Sequence, residues 1–528
     1  MVSWLLVSSW QEFQKVQADK NSEGKGVVAN VVEPLPEVKP SDLVTLKAQD
    51  QIVMIDRKGG KIVQTYLNRY DLKKGSKEKV HVFSKDPTHQ LYAASGFTGD
   101  ADLVFSVLRK DKSLLVLTAT APNGIEYKKE FKVEKDYTIS VTTYVKNQTK
   151  KDWLGQAYSD FTGNNVTSIG KDKKLPEPNK FIAGESGLSK KSGFLGVSTY
   201  TGAAYYSEKT PYTKLTYEEM AGNGVNKKLK NTWIALQKRY FLGAIVPQKD
   251  QTYEIVSHWK SGYLGRSTSH YSEQFNLRLL ATPQTIGPNE EASFNAVIYS
   301  GPEIVNILSK ISPGLDQTID YGMLWFISQA VFYLMEHINK VIHNWGFTII
   351  LSTVFIRLLF YRFQDAGNRS MEKMKMIAPK IEAIQSQYAD DPEAKNTAIL
   401  ALYKKEKVNP IGGCLPLIVQ IPFYFATYHV VMEAVQIRHQ PFLWIKDLSA
   451  TDPYYILPVV LGVAMFVQTK MTPASPDPAQ ENMKLILPVI LMFVFISMPA
   501  GVSLYILTST LFGVLQQQIT SKKLKASW

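Results

Sequence analysis

The chain is poor in cysteine. Cys414 is the one thiol in 528 residues, so no intrachain disulfide can form and no thiol-rich metal site exists. Metal-ligand spacing is missing as well, because His81, His89, His258 and His270 are scattered. No GxxxxGKS/T run offers backbone amides to a nucleotide phosphate. Asp and Glu are dispersed through the first three-fifths, so no carboxylate pair of the glycosidase kind can be assigned. No basic recognition motif for nucleic acid stands out, and no short repeat runs through the chain. The sequence therefore calls for no cofactor, no metal and no direct nucleic-acid partner.

What it has is an uneven distribution of apolar residues. The hydrophobic fraction of 45% and mean hydropathy of -0.13 are ordinary, yet the first three-fifths read as soluble and the last two-fifths carry long apolar runs. A length of 528 residues argues against one domain. In a chain with such runs, a net charge of +13 and a pI near 9.2 point to cytoplasmic loops and anionic lipid.

Residues 1–10, MVSWLLVSSW, are apolar but too short to span a bilayer. They lack a basic start and a small-residue cleavage site, and read as the second half of a membrane anchor or as an apolar, poorly ordered terminus. Residues 11–41 are polar, with Pro34, Pro36 and Pro40, the composition of a linker. Over 42–301 the pattern becomes short alternating runs. QIVMID, RKGGK and IVQTYL at 51–67 read as a hairpin around a Gly-containing loop. Segments 103–108, 114–119, 137–145 and 292–299 suit further strands. This pattern argues for a large all-β sandwich. Its use as a scaffold or docking surface is the plainer reading, with a ligand groove the alternative.

Residues 302–340 hold a short helix ended near Pro313-Gly314, then DYGMLWFISQAVFYLMEHINK. The apolar centre of that stretch is about 13 residues, short for a span. Trp325, Phe326, Phe332 and Tyr333 suit an amphipathic helix lying in the membrane surface, with an early start of the next span as the alternative. Apolar segments follow at 345–363, 411–435, 454–469, 485–498 and 502–515. Pro416, Pro422, Pro458 and Pro488 inside them are tolerable where neighbouring helices satisfy the freed carbonyls. Between the spans, 364–410 is rich in Lys and Arg, which places it in the cytoplasm. Counting spans puts the β domain outside and the tail, 519–528 with Lys522, Lys523 and Lys525, inside.

The basic loop is patterned. Met374, Ile377, Ile381, Ile384 and Tyr388 recur at coiled-coil spacing. Asp391-Pro392 is a helix start, so a second helix folds back on the first, and Pro379 should bend the first arm. Met371, Met374 and Met376, with Ile381 and Tyr388, offer a pliable docking surface; simple packing of the hairpin is the alternative.

Arg357 lies inside WGFTIILSTVFIRLLFYRF, about five residues or roughly 7–8 Å from its polar end. An arginine at the bilayer centre costs about 2.5–3.5 kcal/mol on insertion scales. Either the stem snorkels to the headgroups, or the charge faces a wet cavity among helices. No Asp or Glu lies deep in any other apolar segment. Thr353 shares the helical face of Arg357. Gln420, Thr427 and Tyr428 lie on the second span, and Tyr505, Thr508, Ser509 and Phe512 recur at helical spacing on the last. Each alone means little; together with Arg357 and Thr353 they can line a hydrophilic groove.

KVNPIGGCLPLIVQIPFYFATY (407–428), LSATDPYYILPVVLGVAMFVQTKM (448–471), LYILTSTLFGVLQQQ (504–518) and DYGMLWFISQAVFYL (320–334) resemble the YidC family of bacterial membrane protein insertases. The resemblance is specific over 320–518 and looser over the outer domain, which resembles the periplasmic β-super-sandwich of Gram-negative members. It implies a polytopic α-helical inner-membrane protein with a five-helix core plus an N-terminal anchor, a periplasmic all-β domain, a cytoplasmic helical hairpin and a cytoplasmic C-terminus. It also implies an amphiphilic groove open to the cytoplasm and to lipid. The family's groove arginine falls on Arg357 and its substrate-contacting threonine on Thr353. The aromatic pair of the last helix falls on Tyr505 and Ile506, so one aromatic is replaced. YRFQD at 361–365 departs from the family's proline-containing stretch. The implied partners are nascent membrane proteins, membrane lipids, the Sec translocon, and a ribosome or targeting factor at the hairpin.

The implied activity is insertion without ATP or covalent chemistry, and the protein is not read as an enzyme. A small-solute transporter or channel is the rival; it would need paired intramembrane charges or repeated broken helices. A membrane-anchored periplasmic enzyme would leave Arg357 and the hairpin without a role.

Overall fold

The computed structural model describes residues 31–168, 200–216, 219–220, 224–264, 270–322, 324–388, 391–406, 408, 415–472 and 478–526. The expected anchor at 1–10, most of the linker and the first residues of the second expected span lie outside the described residues. The chain forms two units, the first ending at Ile319 and the second running from Asp320 to Trp528.

The first unit is all-β, as the alternating runs require. Among the described residues one sheet has ten strands, with Thr252–Leu264, His270–Ala281, Ala157–Ser168, Leu91–Phe97 and Lys61–Asp71 at its centre; a second has nine, centred on Phe241–Pro247, Glu291–Pro302, Thr138–Asn147 and Ile125–Val133. Alternation decides what faces inward: along Thr138–Asn147 every second side chain, Ile139, Val141, Thr143 and Val145, is fully buried. Thr65 Oγ1 and Ser300 Oγ meet at 2.7 Å between the sheets. The hairpin read at 51–67 is present, and Gly59 and Gly60 turn it at φ 77° and 58°, where a side chain would be strained.

Two expectations are corrected in this unit. The segment read as 103–108 forms its strand at Ser106–Lys110. Within the expected linker, 11–41, Val31–Val32 is a short strand pairing in parallel with Tyr263 and Leu264. That pairing spans more than 200 residues, and local composition carries no trace of it.

The second unit is helical. Before it, α1 (Val305–Ile311) ends ahead of Gly314, whose φ is 74°. The unit comprises α2 (Trp325–Ile342), α3 (Trp345–Leu359), α4 (Tyr361–Gln387), α5 (Pro392–Lys405), α6 (Leu415–Glu433), α7 (Ile456–Lys470), α8 (Pro478–Ile496) and α9 (Ala500–Ala526). Asn344 separates α2 from α3: its side chain accepts the Phe347 amide at 3.1 Å, an N-cap that rules out the single long helix considered above. Asp452 accepts the amides of Tyr454 and Leu457 at 3.1 and 2.7 Å and so fixes the start of α7. α9 is the central helix, packed on α3, α4, α6 and α7.

Three span boundaries are corrected. The segment 345–363 is two helices, α3 and α4, bent by 70° at Phe360. α8 starts well before residue 485, because PAQENMK continues the helix despite its polarity. α9 runs on to Ala526, so the tail is its last turns. Among the described residues no single helix is long and apolar enough to cross a membrane, though α3 with α4 passes as a bent pair. Apolar side chains face outward in stripes, such as Phe347, Leu351, Phe355 and Leu358 on α3 and Val459, Val463, Phe466 and Val467 on α7.

α4 and α5 form the expected hairpin. Asp391 Oδ1 accepts the Ala394 amide at 2.9 Å with Pro392 in the first turn, as read. α4 passes through Pro379 as one helix. Ile377, Ile381 and Val408 form the hairpin's core, with Met374, Ile399, Leu402 and Tyr403 against it.

Candidate functional site

Arg357 sits in the last turn of α3 and is 6% exposed. Its guanidinium is held between helices. Its Nε donates to Ser509 Oγ of α9 at 2.8 Å, and its Nη1 donates to Gln364 Oε1 of α4 at 2.6 Å. Gln420 of α6 donates to the same Ser509 Oγ at 2.5 Å and also to Tyr424 Oη. Tyr424 in turn meets Tyr505 edge to face at 5.7 Å between centroids. Four helices thus converge on one guanidinium. Among the described residues no ion pair includes Arg357. Its hydrogen-bond partners are the Ser509 and Tyr424 hydroxyls and the Gln364 amide oxygen, all neutral, so they do not neutralise its charge.

Arg357, Gln364, Gln420, Tyr505 and Ser509 line a cavity of about 10 Å³, together with Thr353, Ile356, Phe360, Val419 and Phe423. That is room for about one water. The site is far narrower than the open groove that the resemblance implies.

Of the candidates read from sequence, Arg357, Thr353, Gln420, Tyr505 and Ser509 come together around this cavity. Thr353 Oγ1 is turned onto the Ile349 carbonyl at 2.6 Å. Thr508 and Tyr428 do not line the cavity. The Thr508 hydroxyl donates to the Leu504 carbonyl at 2.8 Å, the local bond common for a helical threonine. Tyr428 is buried one to two turns beyond Tyr424, next to the His429 ring. Gln364 and Tyr424 were missed. Tyr424 lies four residues after Gln420 on one face, a spacing that could have exposed it. In sequence Gln364 reads as the start of the basic loop, because only the bend at Phe360 returns it to Arg357.

At the hairpin, Met374 and Ile381 pack against α5 and so are not an open surface, because the coiled-coil spacing that marked them is the packing seam itself. Met376 is exposed, while Met371 and Tyr388 are half-buried.

An all-β unit joined in sequence to helices with outward apolar faces, and a buried cation among them with no ion pair among the described residues, fit the class of membrane proteins with a large β domain. Residues 43–334 match the YidC periplasmic domain, and residues 337–527 match the 60Kd inner membrane protein family. The chain is 34% identical to the membrane protein insertase YidC of Coxiella burnetii over 96% of its own length and 86% of the relative's. It is 32% identical to that of Legionella pneumophila over 93% and 89%. A solved active YidC insertase aligns over 92% of this chain and 94% of its own, at 18% identity and a TM-score of 0.37. The chain belongs to the YidC family of membrane protein insertases, inner-membrane proteins with a periplasmic domain. The family is not one of catalytic enzymes.

Proposed function

We propose that this chain inserts nascent membrane proteins at the Arg357 cavity, and that the structure holds the cavity in its closed state. The observation that carries this reading is the buried guanidinium bonded only to neutral oxygens. A resident carboxylate would quench the charge; Ser509 and Gln364 leave it available to an acidic group on an arriving chain. In a low-dielectric site that attraction is stronger than in water. Polar flanks of the client are received there at reduced desolvation cost, and the apolar segment then leaves into lipid, driven by roughly 25 cal/mol per Å² of buried apolar area.

In this reading α3, α6, α7, α8 and α9 are the membrane core, α2 lies in the interface, and the β unit is periplasmic. The α4–α5 hairpin and the end of α9 are cytoplasmic, supported by their lysines and arginines. The hairpin is then the side from which a ribosome, targeting factor or Sec translocon delivers clients, with Met376 on its open face. Site-directed photo-crosslinking tests the site. A probe at Val419 or Phe423 should capture a stalled client, and one at Val463, on the outward face of α7, should capture lipid. Equal client capture at all three would contradict the proposal.

A further inference from the structure

Gln364 is the one cavity residue contributed by the hairpin's first helix. It sits in the opening turn of α4, beyond the 70° bend that ends α3. It is 5% exposed, and its amide oxygen is 2.6 Å from Arg357 Nη1. The start of α4 is also fastened to α9 by polar contacts. Gln516 Nε2 donates to the Tyr361 carbonyl at 3.0 Å, Thr520 Oγ1 donates to Asp365 Oδ1 at 2.6 Å, and Ser521 Oγ donates to Glu372 Oε2 at 3.2 Å. Asn368 and Glu372, on the same face of α4, are buried as well. The interface between α4 and α9 is thus held by exchangeable hydrogen bonds. The seam between α4 and α5 has an apolar core, with the Lys380–Glu406 ion pair at 2.6 Å at its edge. A movement that parts the start of α4 from α9 carries Gln364 with it.

We infer that Gln364 is a positioning residue: it occupies the Arg357 guanidinium in the closed cavity, and an acidic group of the client replaces it when the start of α4 lifts from α9. The exchange is favourable in one direction. A neutral amide oxygen satisfies an N–H without cancelling its charge, whereas a carboxylate adds the attraction of an opposite charge, which a low-dielectric site strengthens. The residue that holds the site is therefore weaker than the ligand that displaces it. Glutamine suits this place because it has the length of glutamate without the charge. The inference rests on the proposed role of Arg357 and adds to it a link from hairpin to cavity.

The test is insertion into proteoliposomes of two single-span clients, alike except for acidic or neutral translocated tails. The ratio of acidic to neutral insertion is the readout, because a merely structural fault lowers both clients together. Gln364→Glu supplies a resident carboxylate and should lower the ratio roughly fivefold or more. Gln364→Leu removes the competing oxygen and should leave the ratio at or above the parent's. A lowered ratio with Gln364→Glu and an unchanged or raised ratio with Gln364→Leu supports the inference; a lowered ratio with both, or no lowering with Gln364→Glu, overturns it. Arg357→Ala is run beside them. If it lowers the ratio while Gln364→Glu does not, the Arg357 reading stands and the Gln364 inference falls. If Arg357→Ala leaves the ratio unchanged, both fall. As an independent arm, Asp365→Cys with Thr520→Cys in a Cys414→Ser background is joined by a short thiol crosslinker, which pins α4 to α9. Joining should abolish most insertion of acidic clients; full insertion in the joined protein overturns the link.

Discussion

Arg357 Nε and Ser509 Oγ lie 2.8 Å apart although 152 residues separate them in the chain. Ser509 Oγ also accepts from Gln420, so this one hydroxyl joins α3, α6 and α9. Ser509→Ala leaves the buried Arg357 Nε without its acceptor and takes one of two acceptors from the half-buried Gln420 amide. A buried unsatisfied donor costs about 1–3 kcal/mol, so a drop of that order in unfolding free energy is expected in detergent, read from a denaturant titration. Unchanged stability would mean that water replaces the hydroxyl without loss.

The β unit contains a second buried cation with the opposite arrangement. Lys129 Nζ lies 2.9 Å from Asp100 Oδ2, and both side chains are fully buried. Lys129 also donates to the Gly59 carbonyl at 2.7 Å, and Tyr158 Oη donates to Asp100 Oδ1 at 2.7 Å. Asp100→Ala strands the ammonium and should destabilise the unit by about 3–5 kcal/mol. Asp100→Leu with Lys129→Met should recover part of that loss, though not all, since Tyr158 still lacks its acceptor. Limited proteolysis of the full chain reads both. The contrast with Arg357 is instructive: a cation held for structure has its carboxylate built in.

Glu273 gives a pH dependence outside the membrane core. Burial pushes its carboxyl up to about 7, against a smaller opposing effect of the Asn165 side chain. The folded state then keeps the proton that the unfolded chain, at the ordinary value of 4.5, releases. Stability contributed by this proton is fully present below about pH 4.5 and declines as pH rises to about 7, by about 1–3 kcal/mol in total. Glu273→Gln should flatten that slope in thermal unfolding measured at pH 5 and pH 8.

Topology is tested by thiol labelling in a Cys414→Ser background. An impermeant reagent added to spheroplasts should modify Lys112→Cys, in the β unit, at once. It should reach Glu393→Cys, in the hairpin, only after the membrane is opened. Immediate labelling at Glu393→Cys would invert the proposed orientation.

What the sequence revealed follows from where each signal is stored. Period-two runs announced the β unit, and Asp391-Pro392 and the seam through Ile377 and Ile381 announced the hairpin, because those signals are local. Arg357, Thr353, Gln420, Tyr505 and Ser509 were legible from polar residues recurring on apolar helices. Three things were not. Val31–Val32 pairs with a strand far along the chain. Gln364 looks like loop until the bend at Phe360 is known. PAQENMK reads as polar connector, yet it extends α8, since helix propagation needs no apolar side chains once packing has nucleated it.

The central claim is that the Arg357 charge receives acidic client segments. Its most direct test is the insertion rate of matched acidic-tail and neutral-tail clients by the parent, Arg357→Lys and Arg357→Ala. The account predicts that Arg357→Lys keeps most of the acidic-client rate. Arg357→Ala should lose about tenfold or more of it, the factor that 1.4 kcal/mol of lost charge stabilisation gives, while the neutral client slows much less. Equal rates for both clients with the alanine variant, at the parent's level, would contradict it.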